Sequence, residues 1–256
     1  MTSAERDENV KQNDTNRITD IAGALRLLTR LPLPASDTVP GPTAAWAWPL
    51  AGAVVGGLAA LVGFLALPLG AGIAAGLVLG AQVVMTGAMH EDGLADSADG
   101  LWGGWDRARR LEIMKDSHIG TYGVMALILI TLIRWNALVI LLDAGQFWAL
   151  VAVAALSRAP MAVLMAALPN ARRAGLSHSV GQVPRAAAGV AALIAAGFAL
   201  SLGMSGFVAV LGVGVVSFAW AGLAKAKIGG QTGDILGASQ QLSEAVALGL
   251  IAVAMA

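Results

Sequence analysis

Long apolar stretches separated by short polar ones make up most of this sequence. A helix needs about 20 mainly apolar residues to cross a bilayer, and seven stretches approach that length. We predict membrane spans at Trp46–Leu67, Leu69–Met89, Val124–Leu142, Phe147–Leu168, Ala186–Met204, Gly206–Ala224 and Ala245–Ala256. The last stretch is short as written, so it either begins near Leu242 or spans only in part. The pattern predicts an all-α fold, a polytopic membrane helical bundle of about seven transmembrane helices.

Two breaks between these spans are very short. The first and second spans are separated by Pro68–Gly70, and the fifth and sixth by Ser205–Gly206. Turns of this length leave adjacent helices side by side. We therefore predict a tight hairpin at each of these breaks.

The N-terminal region follows a different pattern. Apolar residues recur at helical spacing within Ile18–Leu33, which also carries Arg26 and Arg30. This segment is too short and too charged to span, so we predict an interfacial amphipathic helix; a helix that covers part of the bundle is the alternative. Met1–Arg17 is polar, lacks the apolar core of a secretory signal and is predicted to be a disordered tail. Residues 18–256 then form a single integral membrane catalytic domain.

Composition supports the membrane class. Of the 256 residues, 57% are hydrophobic and only 12% are charged, whereas soluble domains average about 25% charged residues. The formal net charge of zero gives no reason to expect nucleic acid binding. The 32 glycines favour close helix approach and make self-association into a homo-oligomer plausible. Absence of cysteine excludes disulfides and thiolate metal sites.

Basic residues predict the orientation. Fourteen of the sixteen Lys and Arg residues lie in the N-terminal region and in the three loops on its side of the predicted bundle. Basic loops face the cytoplasm in integral membrane proteins. We therefore predict a cytoplasmic (inner) membrane protein whose N-terminus and acidic loop are cytoplasmic.

The acidic loop, residues 87–123, holds seven of the sixteen Asp and Glu residues. Asp92, Asp96 and Asp99 fall at i, i+4 and i+7, which share one face of a helix. Carboxylates so close repel one another unless a cation lies among them, and magnesium prefers carboxylate oxygens together with substrate phosphates. The pattern predicts a magnesium site; a solvated acidic turn is the alternative.

Further polar residues are candidates for substrate binding. The stretches Lys115–Gly123, which contains Asp116, and Lys225–Asp234, which contains Lys227, are rich in glycine and suited to phosphate binding. Arg158 lies inside a predicted span, where it either binds a phosphate or loop carboxylate or forms a buried ion pair. For Arg134, in another span, the ion pair is favoured. His90 is a general base, a phosphate contact or a histidine hydrogen-bonded at a helix end.

Two other classes of membrane protein also use clustered acidic residues. The acidic cluster partly resembles the signature of the CDP-alcohol phosphotransferases, which begins Asp-Gly as Asp92-Gly93 does, but the arginine of that signature is absent here. Cation transporters usually place their acidic residues near the bilayer midplane. The seven predicted spans hold no acidic residue at their centres, so transport is disfavoured.

Three blocks together resemble one family. HEDGLADSADG, RRLEIMKDSHIGTYGV and KIGGQTGDILGASQQLSE look like the signature blocks of cobalamin synthase, also called adenosylcobinamide-GDP ribazoletransferase. LLTRLPLP and WPLAGAVVGG are similar to the N-terminal part of that family, so the resemblance covers about residues 20 to 245. Family members often have Arg where His118 stands.

The resemblance implies an enzyme, its substrates and its cofactor. Adenosylcobinamide-GDP would react with α-ribazole or its 5′-phosphate to give adenosylcobalamin or its 5′-phosphate and GMP, with Mg²⁺ as cofactor. Together with the helical spacing, the resemblance implies metal ligation and catalysis by the acidic block, Glu91, Asp92, Asp96 and Asp99, with Glu91 a fourth ligand or a base. The expected contacts to substrate phosphate and metal are Lys115, Asp116, Arg158, Lys227 and Asp234.

Overall fold

The computed structural model describes residues 17–34 and 39–255. Within these ranges the chain is helical, with one isolated β-bridge between Asn170 and Gln231 and no strand. The all-α fold class is therefore confirmed. The predicted disordered tail, apart from Arg17, lies outside the described residues.

The first half of the bundle contains six helices. Helix α1 covers residues 17–28. A 3-10 turn, Pro42–Ala47, leads into α2, and a second one, Leu67–Leu69, follows it. The remaining bounds are Trp48–Ala66 for α2, Ala71–Thr86 for α3, Met89–Gly103 for α4, Arg107–Ile113 for α5 and Thr121–Asp143 for α6.

The second half contains six more. Their bounds are Phe147–Leu156 for α7, Ala159–Ala167 for α8, Leu176–Val180 for α9, Arg185–Leu200 for α10, Met204–Ile228 for α11 and Gly233–Val253 for α12. Helices α7 and α8 together form one apolar rod of 21 residues. Pro160 lacks a backbone N–H, which accounts for the turn at Ser157 and Arg158 between them.

A polytopic helical bundle is confirmed, but the count of seven spans is not. Among the described residues, five helical segments are long and apolar enough to cross a membrane, or six if α3 and α4 count as one bent span. They are Pro42–Leu69, Thr121–Asp143, Phe147–Ala167, Met204–Ile228 and Gly233–Val253. Helix α10, at 16 residues, is shorter than the predicted span Ala186–Met204.

The last helix differs most from the sequence-based expectation. It begins at Gly233, twelve residues before the predicted start at Ala245. The additional turns are polar, and their side chains are buried inside the bundle instead of exposed in a loop. The glycine-rich loop before it is correspondingly reduced to residues 229–232.

Both predicted hairpins are present. The first turns at Gly70, whose φ of 99° favours glycine. The second turns at residues 201–203, slightly before the predicted Ser205–Gly206, and Gly203 there has a φ of 69°. A right-angled bend separates α3 from α4, where Gly87 and Ala88 are both left-handed and the chain turns by 90°. This bend points α4, which carries the acidic block, away from the α3 direction.

The buried apolar side chains form two clusters along the bundle. One contains Trp48, Leu94, Met161, Met165 and Ile235 and lies beside α4 and the start of α12. Residues of α2, α3, α6, α7 and α12 dominate the other cluster. Ala24 and Leu28 of α1 belong to the first one, so α1 packs on the bundle close to the acidic helix. Its relation to a membrane surface stays a prediction.

Candidate active site

Helices α4 and α12 cross at unusually close range. A Cβ added at Gly93 would lie 2.8 Å from the Asp234 carbonyl oxygen, and one at Gly237 would lie 3.2 Å from the Met89 carbonyl oxygen. Glycine at both positions is what lets the backbones approach so closely. The crossing brings the acidic block of α4 next to Asp234 at the start of α12.

Three carboxylates meet at this crossing. Asp92 and Asp234 line the same cavity. Asp96, one turn along α4 from Asp92 and half-buried, experiences the charges of both. Asp92, Asp96 and Asp234 are called the acidic cluster below. Two of its members were predicted as ligands and the third as a substrate or metal contact, and the structure brings all three together.

Arg172 forms an ion pair with one member of the acidic cluster. Its Nη1 lies 2.8 Å from Oδ2 of Asp234. The loop that carries it is tied to the loop before α12, since Gln231 N donates to Pro169 O at 2.9 Å and Ala171 N donates to Gln231 O at 2.8 Å. Sequence reasoning had counted Arg172 only as a loop charge. Its pairing with Asp234 is tertiary, and no local motif marks it.

Asp99 has a different environment from the acidic cluster. Its Oδ2 accepts the backbone N–H of Gly120 at 2.7 Å, and its Oδ1 accepts that of Gly123 at 2.9 Å. A carboxylate at a helix N-terminus satisfies otherwise unpaired N–H groups and complements the helix dipole. Asp99 therefore connects the start of α6 to α4. Its carboxylate lies so close to Gly120 and Gly123 that only glycine fits at these two positions of the predicted phosphate-binding stretch.

The contact between Asp99 and the start of α6 predicts that Gly123 tolerates substitution much less well than a glycine facing open space. A Cβ at Gly123 would collide with the Asp99 carboxylate and come within 3.1 Å of the Ala95 carbonyl oxygen. Overpacking of this kind typically costs about 1–3 kcal/mol. We expect Gly123→Ala to lower thermal stability in detergent and to reduce activity by displacing α4. Gly80→Ala on α3, where an added Cβ meets open space, is the control; equal stability of both variants would contradict this role of Asp99.

Glu91 belongs to a buried polar network next to the acidic cluster. Gln241 Nε2 donates to its Oε1 at 3.0 Å, and Arg134 Nη1 lies 3.4 Å from the same atom. Arg134 in turn pairs with Glu244 at 2.8 Å. Oε2 of Glu91 and Nε of Arg134 are buried without a partner among the described residues. Glu91 thus links α4 to α6 and α12 one residue before Asp92.

The structure places Arg158 in this same network. Its Nη1 lies 3.2 Å from Oε2 of Glu244 and donates to the Ala154 carbonyl oxygen at 2.9 Å. Both arginines and Glu244 are almost fully buried. Of the two roles considered from sequence for Arg158, this geometry is that of the buried ion pair.

Glu244 corrects one argument made from the sequence. The predicted spans contained no central acidic residue, but α12 begins earlier than predicted, and Glu244 lies in its middle. The argument against transport based on that absence was therefore wrong. Glu244 is nevertheless matched by Arg134 and Arg158, so its charge is balanced within the protein.

The remaining predicted residues lie apart from the acidic cluster. Lys227 Nζ donates to the Leu101 carbonyl oxygen at 2.6 Å and lies 4.7 Å from the centre of the Trp102 ring. Lys115 and Asp116 are exposed in the turn after α5. The contacts of Lys227 join α11 to α4. Lys115 lies at the surface.

Asp116 is paired with a histidine. His118 Nδ1 lies 2.6 Å from Oδ1 of Asp116, and both side chains are exposed. The hydrogen bond raises the pKa of His118 above its usual 6.5 and lowers the pKa of Asp116 below its usual 3.8. Both side chains are therefore charged, and the ion pair is formed, between pH 3.8 and pH 6.5.

The raised pKa predicts a specific pH dependence. The stabilisation from His118 is fully present below the unfolded pKa of about 6.5 and is lost as pH rises through the higher folded pKa. With only three histidines in the chain, NMR titration of labelled histidine is practical. We expect the His118 midpoint above 6.5 in the native protein and closer to 6.5 in Asp116→Asn. Identical midpoints would contradict the pairing.

A cavity of about 210 Å³ opens beside the acidic cluster. Asp92, Asp234 and Arg172 contribute to one part of its wall, and His90 contributes from α4. His90 is almost fully buried, and its Nε2 has no hydrogen-bond partner within residues 17–34 and 39–255. This atom has no surface open to the cavity, and the charges that act on His90 are those of Arg158, Glu244 and Arg134 in the buried network.

The donor set suits magnesium with a phosphorylated substrate. Across residues 17–34 and 39–255, no three His, Asp or Glu side chains are arranged to hold a metal by themselves. Magnesium, however, usually takes one or two carboxylates and completes its shell with substrate phosphates and waters. Asp92 and Asp96 provide two adjacent carboxylates, while the ion pair with Arg172 balances the charge of Asp234.

The fold and the acidic cluster define a polytopic α-helical membrane protein with a carboxylate-lined cavity where two helices cross. The sequence model of the cobalamin-5-phosphate synthase family matches residues 20–252, and the chain belongs to this family.

Named relatives cover nearly the whole chain. A Mesorhizobium japonicum protein named adenosylcobinamide-GDP ribazoletransferase is 46% identical to it, over 92% of this chain and 93% of its own. Relatives of the same name from Azorhizobium caulinodans and Bradyrhizobium diazoefficiens are each 43% identical, over 89% and 93% of this chain. No solved structure matches the chain.

Proposed function

We propose that this protein is an adenosylcobinamide-GDP ribazoletransferase. It transfers the adenosylcobinamide phosphate moiety of adenosylcobinamide-GDP to α-ribazole or α-ribazole 5′-phosphate, releasing GMP and forming adenosylcobalamin or its 5′-phosphate. The observation that carries the proposal is the acidic cluster beside a cavity, in a chain whose relatives have that name over about nine-tenths of its length.

The reaction is a displacement at phosphorus. The 3′-hydroxyl oxygen of ribazole forms a bond to the phosphorus that is attached to cobinamide. The bond from that phosphorus to the oxygen bridging to the guanosine phosphate breaks, and this oxygen leaves as part of GMP. The hydroxyl proton passes to a basic oxygen at the site and then to solvent. Negative charge develops on the leaving phosphate, so the site must stabilise it.

We assign different residues to metal binding, phosphate binding and positioning of α4. Asp92 and Asp96 would hold Mg²⁺, and Arg172, which pairs with Asp234 at the cavity wall, would bind phosphate oxygens of the substrate. When bound, magnesium neutralises charge on the leaving phosphate and orients the reacting groups. Glu91 and Asp99 contribute by fixing α4 through α6 and α12.

We propose further that the N-terminus and the acidic helix face the cytoplasm. The distribution of Lys and Arg along the chain supports this orientation. Exposed apolar side chains such as Leu132, Val215 and Phe218 on α6 and α11 suit contact with membrane lipid. Self-association through small-residue helix faces belongs to the same proposal.

The test is a mass-spectrometric assay on the purified protein. Adenosylcobinamide-GDP and α-ribazole are supplied with magnesium and, separately, with a chelator. We expect cobalamin product and GMP in equal amounts, and only with magnesium. CDP-diacylglycerol with an alcohol acceptor tests the runner-up function. Product from the CDP substrate alone, or none from adenosylcobinamide-GDP with folded protein, would overturn the proposal.

A further inference from the structure

The cavity beside the acidic cluster has two chemically different parts. Asp92, Arg172 and Asp234 lie together at one part of its wall. The rest of the wall is mainly apolar, formed by the buried side chains of Leu28, Trp48, Met161, Met165, Val180 and Leu236. A ligand that fits both parts carries a charged or hydroxylated portion and a flat or compact apolar portion.

We propose that this cavity holds the base of the nucleoside acceptor, with its ribose directed toward the acidic cluster. This inference rests on the proposed function, because it assigns one of the two substrates to the site. The acceptor α-ribazole is the riboside of a benzimidazole that carries two methyl groups. Its base is an apolar bicycle with one free ring nitrogen.

Size separates this acceptor from the other substrate. Pockets for drug-sized ligands occupy about 300–1,000 Å³, whereas this cavity measures about 210 Å³. A corrin macrocycle with its amide side chains is far larger than a drug-sized ligand and does not fit inside. The macrocycle therefore lies outside the cavity, and the cavity remains for a single bicyclic base.

Polarity separates the benzimidazole from guanine. Guanine presents several donors and acceptors around its rim, and each of them loses its water partners on burial. Besides the acidic cluster, Ser177 and Thr232 also line the cavity, but their hydroxyl oxygens already accept hydrogen bonds from Asn170 and Ile235. The wall therefore offers few replacements. The methylated bicycle instead gains from the same wall, because each buried carbon adds favourable transfer free energy and methionine packs well against rings.

The proposal is tested by changing the cavity and the base together. Met165→Ala and Val180→Ala enlarge the apolar part, and Val180→Ala removes little enough to keep the fold if Met165→Ala does not. Each purified variant is assayed with α-ribazole and with the riboside of a larger tricyclic base, a naphthimidazole. Because both acceptors are measured on one sample, the ratio of their kcat/KM values is independent of the fraction folded.

The enlarged variants are expected to raise the relative use of the tricyclic riboside roughly tenfold or more over the native protein. The KM for adenosylcobinamide-GDP is expected to stay within about twofold. Met114→Ala is the matched control, because Met114 is equally buried but packs against Gly100. It should leave the ratio unchanged. An equal ratio in all variants, or an effect confined to the KM for adenosylcobinamide-GDP, would overturn the assignment.

Binding without turnover separates this proposal from the proposed function. Equilibrium binding of α-ribazole is measured on the native protein and on Met165→Ala and Val180→Ala, without the second substrate. We expect Met165→Ala to weaken binding roughly tenfold and Val180→Ala to weaken it less, because each loses buried apolar contact with the base. Binding that depends on the cavity variants without any transfer would refute the transferase and keep the site. Transfer with riboside binding unaffected by every cavity variant would refute the site alone.

Discussion

Asp92→Asn is expected to lower kcat by on the order of 10²–10³-fold while the protein remains folded. Asp92 is an exposed side chain beside the cavity, so its replacement removes no packing. Asparagine keeps the shape of the side chain but loses the charge that holds a divalent cation. The loss should therefore fall on chemistry, measured as GMP release at saturating substrates and magnesium.

Asp143→Asn is the matched control for this variant. Asp143 is also exposed, but it ends α6 and lies outside the acidic cluster. Exposed substitutions away from special features usually change stability by within about 0.5 kcal/mol, so both variants should melt like the native protein. If Asp92→Asn turned over as fast as Asp143→Asn, the acidic cluster would not be the reaction centre.

Glu244→Gln is expected to destabilise the fold by about 3–5 kcal/mol. Glu244 pairs with both Arg134 and Arg158, and all three side chains are almost fully buried. Glutamine leaves buried Arg158 without a counter-charge and leaves Arg134 with only the Glu91 carboxylate, 3.4 Å away. The expected result is a large loss of thermal stability in detergent, measured by the unfolding midpoint of the purified protein.

Glu112→Gln is the control for Glu244→Gln, because it breaks an exposed ion pair instead of a buried one. Glu112 pairs with Arg109 at 2.8 Å, but their side chains are 68% and 54% exposed. Surface ion pairs contribute at most about 1 kcal/mol, so this variant should differ little from the native protein. Equal unfolding midpoints for Glu112→Gln and Glu244→Gln would show that the buried network does not stabilise the bundle.

The apolar pattern predicted most of the fold because it identifies the segments that are long and apolar enough to cross a membrane, whether their side chains are buried in the bundle or exposed on its surface. The spans around α2, α6 and α11 and both hairpins are confirmed at nearly the predicted positions. The start of α12 was missed for a physical reason. Its first turns carry Gln240, Gln241 and Glu244, which resemble a loop until Arg134 and Arg158 from other helices satisfy them.

The candidate site was predicted in part. Helical spacing correctly placed Asp92, Asp96 and Asp99 on one helix, and the glycine-rich block pointed to Asp234. Spacing does not reveal that Asp99 accepts N–H groups from the start of α6, because that contact depends on how the two helices meet. Arg172 was missed for the same reason, since its partner lies 62 residues further along the chain.

A magnesium-dependent centre at the acidic cluster is tested most directly by the rate of GMP release against free magnesium, measured on the purified native protein and on Asp96→Asn. We expect no release after chelation, saturation as magnesium rises, and a curve for Asp96→Asn displaced to higher magnesium. This displacement follows because one of the two adjacent carboxylates is then neutral. Release that persists in chelator, or superimposed curves for the two proteins, would contradict a magnesium-dependent centre at the acidic cluster.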